Sequence, residues 1–253
     1  MATSVNNPTT KRYAVVTGAN KGIGLGICKQ LAADHGFTIW NIVQVNNAGI
    51  GGIAVDEKGF LAQASKIDKV AGIKWAEIST ESYELTEQCV QTNYYGAKRM
   101  TEALIPLLQL SDSPRIANVS SSMGKLKHLP NEWAKGILND EQNLTEVRVD
   151  EVLNEYLKDF KEGSIQEKGW PTHMSAYVIS KAAMNAYTRI LAKKYPTFCI
   201  NAACPGYVKT DINMNTGKRS IEEGAESVVK LVLLPDGGPS GLFFVEGNIS
   251  SFE

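Results

Sequence analysis

Short apolar runs alternate along the chain with longer stretches in which apolar residues recur every three or four positions. This strand-and-helix rhythm predicts an α/β fold with a parallel sheet covered by helices. Tyr13 to Thr17 (YAVVT) is a continuous apolar run, the pattern of a strand buried on both faces. Gly22 to Ala33 follows as a helix, with Ile23, Ile27 and Leu31 four apart along one side. Phe37 to Val45 is the next strand. Ser82 to Leu110 carries a helical stripe through Val90, Asn93, Ala97, Met100, Leu104 and Leu107, which puts Asn93 on the buried side. Arg115 to Ser121 reads as a further strand, and the helix that carries Tyr177 continues inward through Met184, Thr188 and Leu191. Phe198 to Cys204 is a strand, Ser220 to Leu234 a helix opened by Ser220 and Glu223 in capping-box spacing, and Gly241 to Val245 the last strand.

Composition bounds the function classes. The 253 residues, 43% of them hydrophobic, suit one domain with a sizeable core. Lys and Arg number 26 against 27 acids, a net charge of -1 with no block of one sign, which argues against nucleic acid and an anionic membrane surface. A small, neutral-to-polar molecule is the expected partner. No apolar stretch precedes Tyr13 and no run approaches the ~20 residues that span a bilayer, so a cytoplasmic location is expected. Cys28, Cys89, Cys199 and Cys204 lack metal-ligand spacing and read as buried side chains or free thiols, with neither a disulfide framework nor a zinc site expected. His35, His128 and His173 read as surface or packing residues, and the glycosylation triplets at Asn118, Asn143 and Asn248 as chance matches.

Four groups of residues carry chemistry. Gly18-Ala19-Asn20-Lys21-Gly22-Ile23-Gly24 places three glycines between a strand and a helix. That is either a tight turn alone or one whose amides approach a pyrophosphate at the helix N-terminus. Lys21 within it is either solvated or meets a 2′-phosphate, which would favour NADP over NAD. Asn46-Asn47-Ala48-Gly49 ends the second strand at a carboxyl edge where a ligand can lie, and by itself is equally a turn. Buried Asn93 is either satisfied by neighbouring backbone or holds a helix kink and a water in a proton path. Ser120, Ser121 and Ser122 bring hydroxyls to the same edge. Tyr177 and Lys181 sit at i and i+4 on one helix face, pairing a phenol with an ammonium that stabilises its phenolate and lowers the tyrosine pKa. A carbonyl reductase can use that pair, with Tyr177 giving a proton to the developing alkoxide while a nicotinamide delivers hydride.

Taken together, TGANKGIG at Thr17 to Gly24, NNAG at Asn46 to Gly49, Asn93, Ser121, YVISK at Tyr177 to Lys181 and PGYVKT at Pro205 to Thr210 resemble the short-chain dehydrogenase/reductase family over nearly the whole chain. The resemblance implies a Rossmann-type doubly wound parallel sheet in a single domain, NADP(H) as cofactor and a carbonyl compound as substrate. It implies a tetrad of Asn93, Ser121, Tyr177 and Lys181, with Lys181 also on the nicotinamide ribose and Asn93 anchoring a relay water. Ser121 is preferred because the family's serine lies three residues before a position matched by Gly124. Gly18, Asn20, Lys21, Gly22, Ile23, Gly24, Asn46, Ala48 and Gly49 match the cofactor side, and Pro205, Gly206, Val208 and Thr210 would flank the nicotinamide.

Two departures from the pattern matter. Only 22 positions separate Gly24 from Asn46, where a complete member carries roughly 50 more for two further strands and helices. A truncated first half implies either a displaced first helix or a disordered N-terminal edge, because one helix leading directly to the NNAG strand on its usual face makes a rare left-handed crossover. The long stretch from Lys125 to Thr172 resembles the insertion of monomeric carbonyl reductases of the plant menthone and salutaridine reductase type, so a monomer is expected. Met123, Trp133, Trp170 and Met174 are then either apolar pocket walls for a terpenoid or alkaloid ketone or ordinary packing. The alternative to an active reductase is a non-catalytic truncated relative unable to hold the dinucleotide.

Overall fold

A computed structural model describes residues 13–33, 42–64 and 74–253. In chain order these form β1 (Tyr13–Val16), α1 (Gly22–Ala33), β2 (Ile42–Asn46), β3 (Ala54–Val55), α2 (Glu57–Ala64), α3 (Trp75–Ile78), β4 (Ser79–Thr80) and α4 (Tyr83–Val90). After these come α5 (Ala97–Leu108), β5 (Arg115–Val119), α6 (Glu132–Asn139), α7 (Glu146–Lys161), α8 (Ser175–Lys194), β6 (Cys199–Cys204), α9 (Ile221–Val232), β7 (Phe243–Val245) and β8 (Asn248–Ser250). The main sheet has the order β1-β2-β5-β6-β7-β8, parallel up to β7, with β8 returning antiparallel. Gly241 to Val245 is therefore not the last strand: the chain turns at Glu246 and Gly247, both at positive φ, and pairs back as a hairpin.

Helices cover both faces of this sheet. Val43 and Val45 of β2, Ala117 and Val119 of β5, and Ala203 of β6 pack with Ile27 of α1 and Val228 and Val232 of α9. The opposite face carries α4, α5, α7 and α8 around Ile116, Ile200, Tyr94 and Tyr187. Alternate residues of each strand thus serve two cores, the pattern of a sheet sandwiched between helices.

The first helix is neither displaced nor undocked. Ile27 is fully buried, and α1 lies against α9. Gly26 permits this approach, since a Cβ there would meet the Ala225 Cβ and Ile221 Cγ2 at 3.0 Å. The connections through α1 and α9 step across the sheet in the same direction as those through α5 and α8 but on the other face. They therefore have the opposite hand, and the sheet contains crossovers of the rare sense. The buried character expected of YAVVT fails for a related reason. Among the described residues β1 has a strand on one side only, and Tyr13 is 52% exposed. The Phe37 to Val45 strand is Ile42–Asn46, with 37–41 outside the described residues.

The predicted 82–110 helix is interrupted by a π-helical segment, Gln91–Gly96, between α4 and α5. The wider turn adds a residue to the helical repeat. The buried stripe accordingly moves from Val90 and Asn93 to Ala97, Thr101 and Leu108, while Leu107 turns outward at 50% exposure. In the 125–172 stretch, α6 and α7 pack against α8, and α7 also against α4. Trp170 is buried against Tyr156, its Nε1 donating to Asp159 Oδ2 at 2.8 Å, so it is a core residue and not a pocket wall. Trp133 is 44% exposed on α6.

Candidate active site

The ends of β1, β2, β5 and β6 bring the glycine turn, the NNAG loop, the three serines and Pro205 to one edge of the sheet. The glycine turn is locked to the NNAG loop. Thr17 Oγ1 accepts from the amides of Asn47 and Ala48, both at 3.0 Å, and Asn47 Nδ2 donates to the Thr17 carbonyl at 3.1 Å. Gly18 adopts φ 65 and Gly22 φ 53, conformations that glycine takes without a steric cost. At Gly24 a Cβ would lie 2.3 Å from the Gly18 carbonyl oxygen, so that glycine is required for the turn to close. Asn47, unassigned from sequence, is the residue that staples the two loops.

The Asn46 side chain is engaged inside the sheet. Its side chain is buried, and Nδ2 donates to Thr101 Oγ1 at 3.1 Å and to Asn118 Oδ1 at 2.8 Å, within a polar ladder that also takes in Gln44 and Thr188. Its side chain holds β2 to β5 and α5. Asn20 is exposed, and Ile23 packs toward the α1–α9 core.

Of the three serines, only one faces the tyrosine. Ser120 is buried with its hydroxyl on the Lys181 carbonyl at 3.4 Å, and Ser122 donates to Cys204 Sγ at 3.3 Å. Ser121 begins a short 3₁₀ turn, accepting from the Met123 amide at 3.1 Å, and its hydroxyl lies toward the Tyr177 phenol, whose pKa it acts to lower. Gly124 lets this turn lie on α8, since a Cβ there would meet the Lys181 carbonyl carbon at 2.6 Å.

Lys181 is 3% exposed, as its place on the inward stripe of α8 requires. Its Nζ donates to the Val119 carbonyl at 2.8 Å and lies 5.6 Å from the centre of the Tyr177 ring. Among the described residues no carboxylate pairs with it, and burial lowers its pKa to about 8. Burial also pushes Tyr177 up to about 12, against a lowering from the Ser121 hydroxyl. The depression of the tyrosine pKa expected from Lys181 is not seen: desolvation of the phenol dominates, and the lowering comes from Ser121.

Asn93, in the π segment, is fully buried and fully engaged. Its Oδ1 accepts from the Ile50 amide at 2.9 Å, and its Nδ2 donates to the Ile50 carbonyl and to Ser180 Oγ, each at 3.0 Å, and to Cys89 Sγ at 3.2 Å. The helix distortion and the backbone anchoring anticipated as alternatives therefore coexist. Ser180 and Cys89, which have no motif signature, complete this cluster.

A Cβ at Gly49 would sit 3.2 Å from Asn93 Oδ1 and 3.4 Å from Lys181 Nζ, so the glycine keeps open the approach to both polar groups. Gly49, Lys181 and the Pro205 segment are the groups that could hold a nicotinamide ribose. Thr210 closes toward the glycine turn, its Cγ2 3.5 Å from where a Gly22 Cβ would stand, and Lys21 Nζ pairs with Asp211 Oδ2 at 2.6 Å. Gly206 is at φ 84, and Arg219 donates to the Pro205 carbonyl at 2.7 Å. The Val208 side chain packs over Gly224, away from the opening.

An apolar mouth surrounds the polar floor. Ile53, Met174 and Ile212 converge on Gly51, with a side-chain carbon of each within 4.0 Å of its Cβ position. Met174 stands immediately before α8 at φ 48. The small β3–β4 sheet with Phe60, Ile78 and Trp75 packs on Met214, adding a lobe that no sequence periodicity announces.

The short chain dehydrogenase family model matches residues 163–220, the span from the end of the insertion through Tyr177, Lys181 and the Pro205 segment. The chain is 50% identical to "(+)-neomenthol dehydrogenase" of Arabidopsis thaliana over 296 aligned positions, covering 96% of this chain and 99% of that protein. The solved structure of salutaridine reductase from Papaver somniferum superposes with a TM-score of 0.87 at 43% identity, covering 93% of this chain and 99% of that one. Menthone neomenthol reductase from Mentha piperita gives 0.74 at 41% identity, with 94% and 99% covered. An alignment of 296 positions exceeds the 253 residues of this chain, in keeping with the short interval between Gly24 and Asn46. With its motif order, its sheet and relatives of this identity over almost its full length, the chain belongs to the short-chain dehydrogenase/reductase family and is an oxidoreductase acting on CH–OH groups.

Proposed function

We propose that the protein reduces a ketone or aldehyde to the alcohol, reversibly, with NADPH as hydride donor and a compact apolar, terpenoid-like carbonyl compound as substrate. The observation that carries this reading is the meeting of the Tyr177 phenol, the Ser121 hydroxyl and the buried Lys181 ammonium at the end of β5. The bound nicotinamide supplies the hydride. Ser121 orients the carbonyl oxygen, and Tyr177, protonated across the physiological range, gives its proton to that oxygen. Lys181 places a positive charge beside the phenol and stabilises the phenolate left by that transfer. It also holds the nicotinamide ribose. Asn93 fixes the Ile50 backbone and keeps the polar floor in place for a relay water.

Ile53, Met174 and Ile212 give the substrate an apolar wall, which suits a cyclic hydrocarbon ketone better than a charged one. The names of the relatives, neomenthol dehydrogenase and salutaridine reductase among them, support that substrate class. Among the described residues Lys21 is the glycine turn's cation for a 2′-phosphate, and its bridge to Asp211 limits how much preference it gives. We read the protein as a cytoplasmic monomer, the α6–α7 insertion covering α4 and α8. Turnover of a cyclic monoterpene ketone by the purified chain, followed as loss of reduced-nicotinamide absorbance, tests the reading. Substrate-dependent oxidation of NADPH supports it, and its absence across a ketone and aldehyde panel overturns it.

A further inference from the structure

The helix that carries Tyr177 begins without a cap of its own. Met174, the residue before α8, has no side-chain oxygen to accept from the first amides. It also sits at φ 48, a left-handed conformation that a non-glycine residue keeps only where its surroundings hold it. Glu81 supplies what Met174 lacks. Its carboxylate accepts from the Ser175 amide, at 3.1 Å to Oε2 and 3.3 Å to Oε1, and from the Ser175 hydroxyl. A negative charge there also suits the positive end of a twenty-residue helix. The Met174 carbonyl is held as well, accepting from the Val178 amide at 2.9 Å.

This clamp joins two walls of the apolar mouth. Ala54 pairs with Thr80, so Ile53 and Glu81 stand together at one end of the β3–β4 sheet. Ile53 Cγ1 and Met174 Cε lie 3.7 and 3.8 Å from the Gly51 Cβ position. One carboxylate therefore ties the lobe bearing Ile53 to the helix start bearing Met174. Tyr156 of α7 backs the clamp from the insertion. Because the Ser175 hydroxyl donates to Glu81, the Tyr156 phenol is the donor in their 2.6 Å bond, and both residues are fully buried. The polar floor has separate anchors, Lys181 on the Val119 carbonyl and Asn93 on the Ile50 amide, so loss of the clamp loosens the mouth and leaves the floor in place.

We propose that Glu81 is a specificity-determining positioning residue: by holding Ser175 it fixes Met174 against Gly51, sets the separation of the Met174 and Ile53 walls, and fits the mouth to a compact cyclic ketone. The proposal rests on the reductase reading above and specifies what sets its substrate fit.

Steady-state kinetics of the purified full chain with NADPH and a cyclic monoterpene ketone test it in the parent, Glu81→Ala, Glu81→Asp and Glu81→Gln. Glu81→Ala, and Glu81→Asp with its carboxylate one methylene short, should raise KM for the ketone at least about tenfold with kcat within about threefold of the parent. Glu81→Asp carries the test if Glu81→Ala does not fold. Glu81→Gln keeps an oxygen for the Ser175 amide and should hold KM within about threefold of the parent. A merely structural role lowers the active fraction, and with it kcat, at an unchanged KM. That pattern, parent-like kinetics in Glu81→Asp, or a Glu81→Gln as impaired as Glu81→Asp overturns the proposal and leaves the reductase reading standing. A parent chain that turns over no ketone overturns both.

Discussion

Lys181 Nζ donates to the carbonyl oxygen of Val119 at 2.8 Å, tying the helix that carries Tyr177 to the strand that runs into Ser121. The bond holds an uncompensated ammonium in a site only 3% exposed, which is why its pKa falls to about 8 from a usual 10.5. Two outcomes follow for pH. Ketone reduction should decline as pH rises through about 8, where Lys181 loses its charge, and not near the tyrosine value of about 12. Lys181→Met, assayed across the same range, should be slow throughout and lack that limb.

The same residue costs stability. Its folded-state pKa lies below its unfolded one, so the unfolded chain binds more protons between about 8 and 10.5, and stability rises with pH across that window. The penalty is fully present below pH 8. Lys181→Met should therefore be more stable than the parent at pH 7 by about 3 kcal/mol, with the gap closing by pH 10.5, as measured by urea denaturation.

The serines separate by substitution. Ser121→Ala should lower kcat/KM about 10²-fold or more, because only this hydroxyl meets Tyr177. Ser120→Ala and Ser122→Ala remove bonds to the Lys181 carbonyl and Cys204 Sγ, and each should change kcat/KM less than about threefold.

Asn93→Ala leaves the Ile50 amide without its side-chain partner, while the Ile50 carbonyl keeps Cys89 Sγ and the Ser180 hydroxyl keeps the Tyr177 carbonyl. The expected loss is about 1–3 kcal/mol in chemical denaturation, the cost of one orphaned buried group.

The motifs were legible because each needs particular residue types in a fixed local conformation. Glycine at Gly18 and Gly24, a buried lysine one turn after Tyr177, and a hydroxyl at Ser121 are all marked in the chain itself. Three features were not. The π segment at Gln91–Gly96 has no compositional mark and shows only when the buried stripe shifts from Met100 to Thr101. The β3–β4 lobe uses strands of two residues, too short to display a period. YAVVT is apolar enough for a central strand, and its place at the edge depends on what the interval between Gly24 and Asn46 does not supply. Trp170, open in the sequence between pocket wall and packing, and the Asn46 side chain both sit where their hydrogen-bond partners are, Asp159 and Asn118.

The central claim, that Tyr177 donates the proton in carbonyl reduction, is tested most directly by the NADPH-dependent rate on a cyclic monoterpene ketone for the parent chain and Tyr177→Phe, with thermal unfolding as a control for folding. The account predicts measurable turnover by the parent and a loss of at least about 10²-fold in the variant at an unchanged midpoint. Equal rates for the two proteins would contradict it.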